Sequence, residues 1–216
     1  MTNITHEVWK ILDNNPSIRR NMGQGLINTS ALARYIIKDK KLPASLDAVQ
    51  IAIRRYKLNQ HDEIFNKAQE MFPQALNIST KTNLAEISLI KDTDVQKILP
   101  KLFDFIHYVQ GDVLRVTQAN KSIRLLLDEK NLEQVKSLFT KEKIITQEKN
   151  LAEINIYIHP QMQKTPGILA IIANELALNN INIVEFVTCP PEMLCIIKKE
   201  DLVKASNILY NLCEAK

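Results

Sequence analysis

The chain contains one stretch of itself twice. I-S-T-K-T-N-L-A-E-I at 78–87 matches I-T-Q-E-K-N-L-A-E-I at 145–154 at an offset of 67 residues, and the match ends in five consecutive identities. Further on, S-I-R-L-L-L-D-E-K-N-L-E-Q-V (122–135) parallels E-M-L-C-I-I-K-K-E-D-L-V-K-A (192–205) at an offset of 70. The chain therefore carries two copies of one supersecondary unit. The second copy has gained three residues between the matched blocks, and the loop before its first helix is where they are expected.

Each copy reads as βαββαβ. In the first, Leu84–Ile90 is a strand and Val95–Ile106 a helix. Val113–Ala119 and Ser122–Asp128 follow as strands, Leu132–Phe139 as a helix, and Ile144–Gln147 closes the unit. In the second, the strands are Leu151–Ile158, Ile181–Thr188 and Met193–Lys198, and the last helix is Leu202–Leu212. The runs I-R-L-L-L (123–127) and M-L-C-I-I (193–197) are apolar on nearly every residue. A sheet covered on one face should alternate, so these strands are expected to be buried on both faces.

Between the first two strands of the second copy lies T-P-G-I-L-A-I-I-A-N-E-L-A-L-N-N-I-N-I-V-E-F-V (165–187). Thr165 is expected to cap a helix, with Pro166 at its first position and Gly167 after it. Ile168, Ile172 and Leu176 form its apolar row, and Asn179-Asn180 ends it. A strand, P-G-x-L, a helix, N-I-N-I and a second strand resemble an ACT domain, most closely the regulatory ACT domains of aspartate kinases. The resemblance implies a small effector, an amino acid in the first instance. It would be held by Gln161, Met162, Thr165, Pro166, Gly167 and Ile168, with Asn182 and Ile183 beside it. Free N–H groups at a helix start suit a carboxylate, and a glycine allows close approach. The first copy departs from the pattern. Its loop is I-K-D-T-D-V without Pro-Gly, Asp92 and Asp94 would repel a carboxylate, and Pro100 interrupts its helix.

The front of the chain carries the charge. Residues 1–57 hold ten Lys and Arg against four Asp and Glu, whereas 81–216 hold seventeen of each. Such asymmetry points to an anionic partner for the front alone. Helices are expected over His6–Leu12, Ser17–Met22, Ala31–Lys38, Leu46–Leu58 and His61–Phe72. Two of them joined by the turn Leu42-Pro43-Ala44 suit a helix-turn-helix that reads duplex DNA. Gln50, Arg54, Arg55 and Lys57 line the outer face of the second, and Arg19, Arg20, Lys40 and Lys41 are placed for phosphates. The alternative for this face is a solvated, salt-bridging surface. The phrases G-L-I-N-T-S-A-L-A-R-Y-I and A-I-R-R-Y resemble the winged-helix-like N-terminal region of predicted archaeal regulators of amino-acid metabolism.

The fold class expected is therefore α+β: a helical, helix-turn-helix-like domain over 1–73, then two ferredoxin-like βαββαβ units, a degenerate ACT-like one at 74–148 and an ACT domain at 149–216. Catalytic chemistry is not foreseen. There is no phosphate-binding G-x-x-x-x-G-K, the four histidines lack metal spacing, and no nucleophile motif stands out. No metal or cofactor is expected. His159 borders the effector loop as an exposed loop residue or a ligand contact. The three cysteines show no CxxC, fit a reduced cytoplasmic compartment, and place Cys189 and Cys195 as small core residues on neighbouring strands. No apolar run approaches a membrane span. The expected function is a ligand-responsive regulator of amino-acid metabolism, a homodimer through its ACT-like units that binds duplex DNA through its front; the alternatives are a regulatory subunit of a biosynthetic enzyme and a dimerisation scaffold that senses nothing.

Overall fold

The computed structural model describes residues 3–57, 64–75 and 77–214. They fall into two compact bodies, 1–70 with 165–171, and 71–164 with 172–216.

The first body opens with α1 (Ile4–Asp13), α2 (Pro16–Gly23), α3 (Thr29–Lys40) and α4 (Leu46–Arg54). Each starts where the sequence supplies a start signal. Asn3 accepts from the Thr5 N–H, Asn28 from those of Ser30 and Ala31, and Ser45 from that of Ala48, while Pro16 is the first residue of α2. Val8, Leu12, Leu32, Ala33, Ile36, Val49, Ala52 and Ile53 form the core. Trp9 closes it from the side: its Nε1 donates to the Ala52 carbonyl at 2.9 Å, and its ring meets Tyr56 edge-on at 6.3 Å. Helix α4 stops at Arg54, short of the expected Leu58, which lies outside the described residues. The helix expected over His61–Phe72 is α5 (Ile64–Met71), with His61 also outside them.

The described residues of the second body hold one antiparallel sheet of order β2-β3-β1-β4-β6-β5. The strands are β1 (Asn77–Ile90), β2 (Leu114–Gln118), β3 (Ser122–Asp128), β4 (Ile144–Tyr157), β5 (Ile183–Cys189) and β6 (Glu192–Lys198). Here the sequence reading needs a correction. Ile144–Gln147 and Leu151–Ile158 are not two strands but one of 14 residues, and β1 likewise starts seven residues before Leu84. The physical reason is an asparagine in each. Asn83 (φ 58°) and Asn150 (φ 57°) adopt the left-handed conformation that Asn tolerates, and the register shifts beside them between Lys81 and Leu84. The chain bends there without ending its ladder. The second half of β1 and the first half of β4 therefore join β2 and β3, while the other two halves join β5 and β6.

Helices lie along each half. The first has α6 (Thr93–Ile98), which Pro100 converts into a 3₁₀ segment, Leu99–Asp104, where an α-helix to Ile106 was expected. It also has α7 (Leu132–Lys136). The second has α8 (Pro160–Gln163), the part of α9 (Ile168–Leu178) from Ile172 onward, and α10 (Leu202–Glu214). Ala85, Ile87, Leu89, Ile123, Leu125 and Leu127 face one way into a core with Val95, Leu132 and Val135.

The opposite face is buried too, and ion pairs show how. The guanidinium of Arg115 on β2 contacts Glu153 on β4 at 2.6 Å, although two strands, β3 and β1, lie between them. At about 4.8 Å per strand a flat sheet would keep these backbones roughly 14 Å apart. Arg124 on β3 likewise contacts both Glu86 on β1, at 3.1 Å, and Glu185 on β5, at 4.0 Å. The sheet is thus folded over along β1 and β4, with its two halves face to face. Leu84, Leu126, Leu151 and Ile196 fill the space between them, so the continuous apolar runs are buried on both faces, as expected.

Candidate functional site

The residues gained by the second copy do fall before its helix. The longer segment there contains α8, capped by His159, whose Nδ1 accepts from the Gln161 N–H at 3.3 Å. His159 is therefore engaged in holding this turn. Met162, expected at a ligand, is only 1% exposed and serves the core. Gln161 remains exposed. The helix does not begin at Thr165-Pro166 either. Gly167 has φ +98°, which no helical residue adopts, so α9 starts after it at Ile168. The Gly167 carbonyl accepts the Ile171 N–H at 3.0 Å and opens the helical ladder. Thr165 is half-buried, Pro166 exposed, and the Ile168 side chain buried. A Cβ at Gly167 would lie 3.3 Å from the Cβ of Ala68 on α5. The close approach this glycine permits is thus already used by a helix of its own body. Asn182 is exposed just ahead of β5, and Ile183, half-buried, begins it.

In the first copy the acidic loop is self-contained. Asp92 caps α6 through the Val95 N–H at 2.9 Å, and Lys143 pairs with both Asp92 and Asp94. The Lys143 ammonium holds the Asp92 carboxyl below its usual range. Two open cavities lie beside the bends in β1 and β4. The larger, about 510 Å³, is lined by Lys149, Asn150, Lys198, Lys199 and Glu200. Its lysines are paired with Glu133, Glu148 and the Asn83 side chain.

The basic residues of the first body divide into two groups. Arg54, Arg55, Lys57, Lys40 and Lys41 are exposed, as a nucleic-acid face requires. Gln50 is not: its amide donates to Ser30 Oγ at 2.9 Å, joining α4 to α3. Arg19 donates to the Leu12 carbonyl at 3.1 Å, where a cation suits the C-terminal end of α1. Arg20 is half-buried. Neither Gln50 nor Arg19 is displayed as the sequence reading placed it.

Sequence reasoning missed the ion pairs between the sheet halves, although a signal was there. Glu86 and Glu153 occupy the same place in the two N-L-A-E-I repeats, each a carboxylate inside an apolar strand. They are 4% and 3% exposed. Burial pushes the Glu86 carboxyl up, with Arg124 opposing and Glu185 and Glu148 adding to the shift. Cys195 is buried as expected, which raises its thiol to about 12, but Cys189 is exposed at the end of β5 rather than in the core.

No protein-family model matches the chain, and no curated protein matches it. Solved structures do. It is similar to Clostridium acetobutylicum aspartate kinase, with a TM-score of 0.52 and 21% identity over 64% of this chain and 35% of that one. It is similar to the aspartokinase alpha and beta subunits, with a TM-score of 0.53 and 15% identity over 65% of this chain and 99% of that one. The ligand-free regulatory subunit of aspartate kinase from Thermus thermophilus gives a TM-score of 0.52 and 15% identity over 64% and 97%. The chain thus spans about a third of the Clostridium kinase and nearly all of the latter two chains. Identities this low show the fold alone: mixed α and β around an antiparallel sheet, as in these aspartate kinase chains. Among the described residues no helix is long and apolar enough to cross a membrane.

Proposed function

We propose that the chain is a cytoplasmic, non-catalytic regulator of amino-acid metabolism whose two ferredoxin-like ACT units respond to a free amino acid. The observation that carries this reading is the Thr165-Pro166-Gly167 turn, with its left-handed glycine directly before α9, in a fold similar to aspartate kinase regulatory subunits. An α-helix leaves the N–H groups of its first turn without intrahelical partners. Those of Gly167 and Ile168 are the proposed donors to the effector carboxylate. The test is a melting curve with each of the twenty amino acids in turn. A ligand that binds only the folded state raises the midpoint.

The finer part of the proposal is that the first body is a winged-helix-like domain that binds duplex DNA through Arg54, Arg55, Lys57, Lys40 and Lys41. Their joint exposure supports it. Gel retardation that weakens steeply with salt is the expected result. A second reading, a regulatory subunit docked on an enzyme, is supported by the likeness to kinase regulatory subunits. It takes precedence if no genomic fragment is retarded with or without effector. A homodimer is proposed through the outer strands β2 and β5, which each pair on one side only among the described residues. Light scattering at one chain mass would contradict it.

A further inference from the structure

The Thr165–Ile171 segment packs into the same compact body as residues 1–70. What it meets there is α5. Ala68 is fully buried, whereas its neighbours Lys67, Gln69 and Glu70 are exposed, so the helix turns its smallest side chain inward. The Ala68 Cβ stands 3.3 Å from where a Cβ of Gly167 would be, closer than ordinary carbon contact. A Cβ there would press on the Ala68 methyl by a few tenths of an ångström, and the φ of +98° favours glycine besides. Ile168 and Ile171, on the first turn of α9, are buried to 3% and 2% exposure. The glycine that a ligand would approach is therefore covered on its side-chain face by a helix of the same polypeptide.

We infer that α5 and the effector compete for the Gly167 turn, α5 being the internal occupant that a free amino acid displaces. This rests on the effector reading above. A carboxylate seated on the Gly167 and Ile168 N–H groups, with the rest of the amino acid against the glycine, needs the volume that the Ala68 methyl fills. Helix α5 is only eight residues long, and a short helix opens at low cost, as the least stable elements of a fold do. Helix α5 belongs to the segment that joins α4 to β1, so its release loosens the connection between them. Ligand binding at the turn is thereby converted into freedom of that connection.

The competition has two independent readouts on the full chain. The first is hydrogen exchange of the α5 amides in wild type, with and without the amino acid that raises the melting point. Faster exchange across residues 64–71 is expected. The second is the affinity of Ala68→Asp for the same amino acid. An apparent affinity is reduced by the fraction of protein in the open state, so opening α5 in advance should tighten binding by about tenfold or more. Binding to Ala68→Asp alone, and not to wild type, would support the competition most strongly. If wild type binds an amino acid while α5 exchange is unchanged and Ala68→Asp binds no tighter, the competition is refuted and the effector reading stands. Should neither protein bind any of the twenty, the effector reading fails and takes the competition with it. If Ala68→Asp does not fold, the wild-type exchange decides alone.

Discussion

Arg115 on β2 grips Glu153 on β4 with two parallel hydrogen bonds, Nε to Oε2 at 2.6 Å and Nη2 to Oε1 at 2.7 Å. At the position of Arg115 shifted by 70 residues stands Glu185, and shifting Glu86 by 67 gives Glu153. A strictly repeated pair would thus set Glu185 against Glu86, two carboxylates. Arg124 breaks that symmetry by contacting both. The charges between the two halves are thus not the ones a strict repeat would set there.

Removing Arg115 should therefore open the folded sheet. Breaking a buried pair leaves an uncompensated charge, usually at a cost of about 3–5 kcal/mol; because Arg115 keeps 32% of its side chain in water, the expected loss for Arg115→Met is discounted to roughly 2–4 kcal/mol. Glu153→Gln in the same chain should recover much of it. Denaturant unfolding of the two single variants and the double variant measures the coupling. Additive losses would mean that the pair contributes nothing to holding the halves together.

The bends in the long strands give a second expectation. Asn150 sits at φ 57°, where an L-residue with a Cβ is strained. Asn150→Ala should cost about 1–2 kcal/mol and Asn150→Gly little, because only the former meets the left-handed penalty. Equal losses from both would place the asparagine's value in its side chain rather than in its backbone.

Much of this architecture was legible in the sequence because it is local or repeated. The N-L-A-E-I match located β1 and β4, and the caps at Asn28 and Ser45 located α3 and α4. Element ends fared worse where tertiary structure decides. Nothing local announces that β4 runs through Asn150, since its partner there is a strand 67 residues away. Locally, T-P-G fits a helix start, and the Gly167 turn is not one. Its left-handed φ and its contact with Ala68 depend on a distant helix that periodicity cannot position. The folded sheet was foreseen only as burial on both faces, and its ion pairs were not foreseen.

Acid should act through Asp112. The Lys130 ammonium, 2.5 Å away, pulls this carboxyl from 3.8 down to about 2, helped by the His107 N–H and the Asn131 amide. A carboxyl depressed in the folded state stabilises above its unfolded pKa and loses that contribution as pH falls through the folded one. Wild type should therefore lose stability between pH 4 and pH 2 more steeply than Asp112→Asn. Parallel curves of unfolding free energy against pH would show that Asp112 does not contribute.

On the first body, Gln50 and Arg54 should separate. Gln50 is bonded to Ser30, so Gln50→Ala should cost about 1 kcal/mol of stability, as the loss of one hydrogen bond does, without altering any base preference. Arg54 is exposed, and if the DNA proposal holds, Arg54→Ala should relax base preference by about 1–3 kcal/mol. Competition binding with a set of duplexes distinguishes the two. A change in base preference in Gln50→Ala would restore it as a base reader.

The central claim is that the Gly167 turn receives a free amino acid. Its most direct measurement is the amide nuclear magnetic resonance spectrum of the full chain, titrated with each of the twenty amino acids. The account predicts that at least one of them shifts the Gly167 and Ile168 amides in a saturable way, with α5 amides moving in step. Saturable binding that leaves both amides in place, or no saturable shift from any of the twenty, would contradict it.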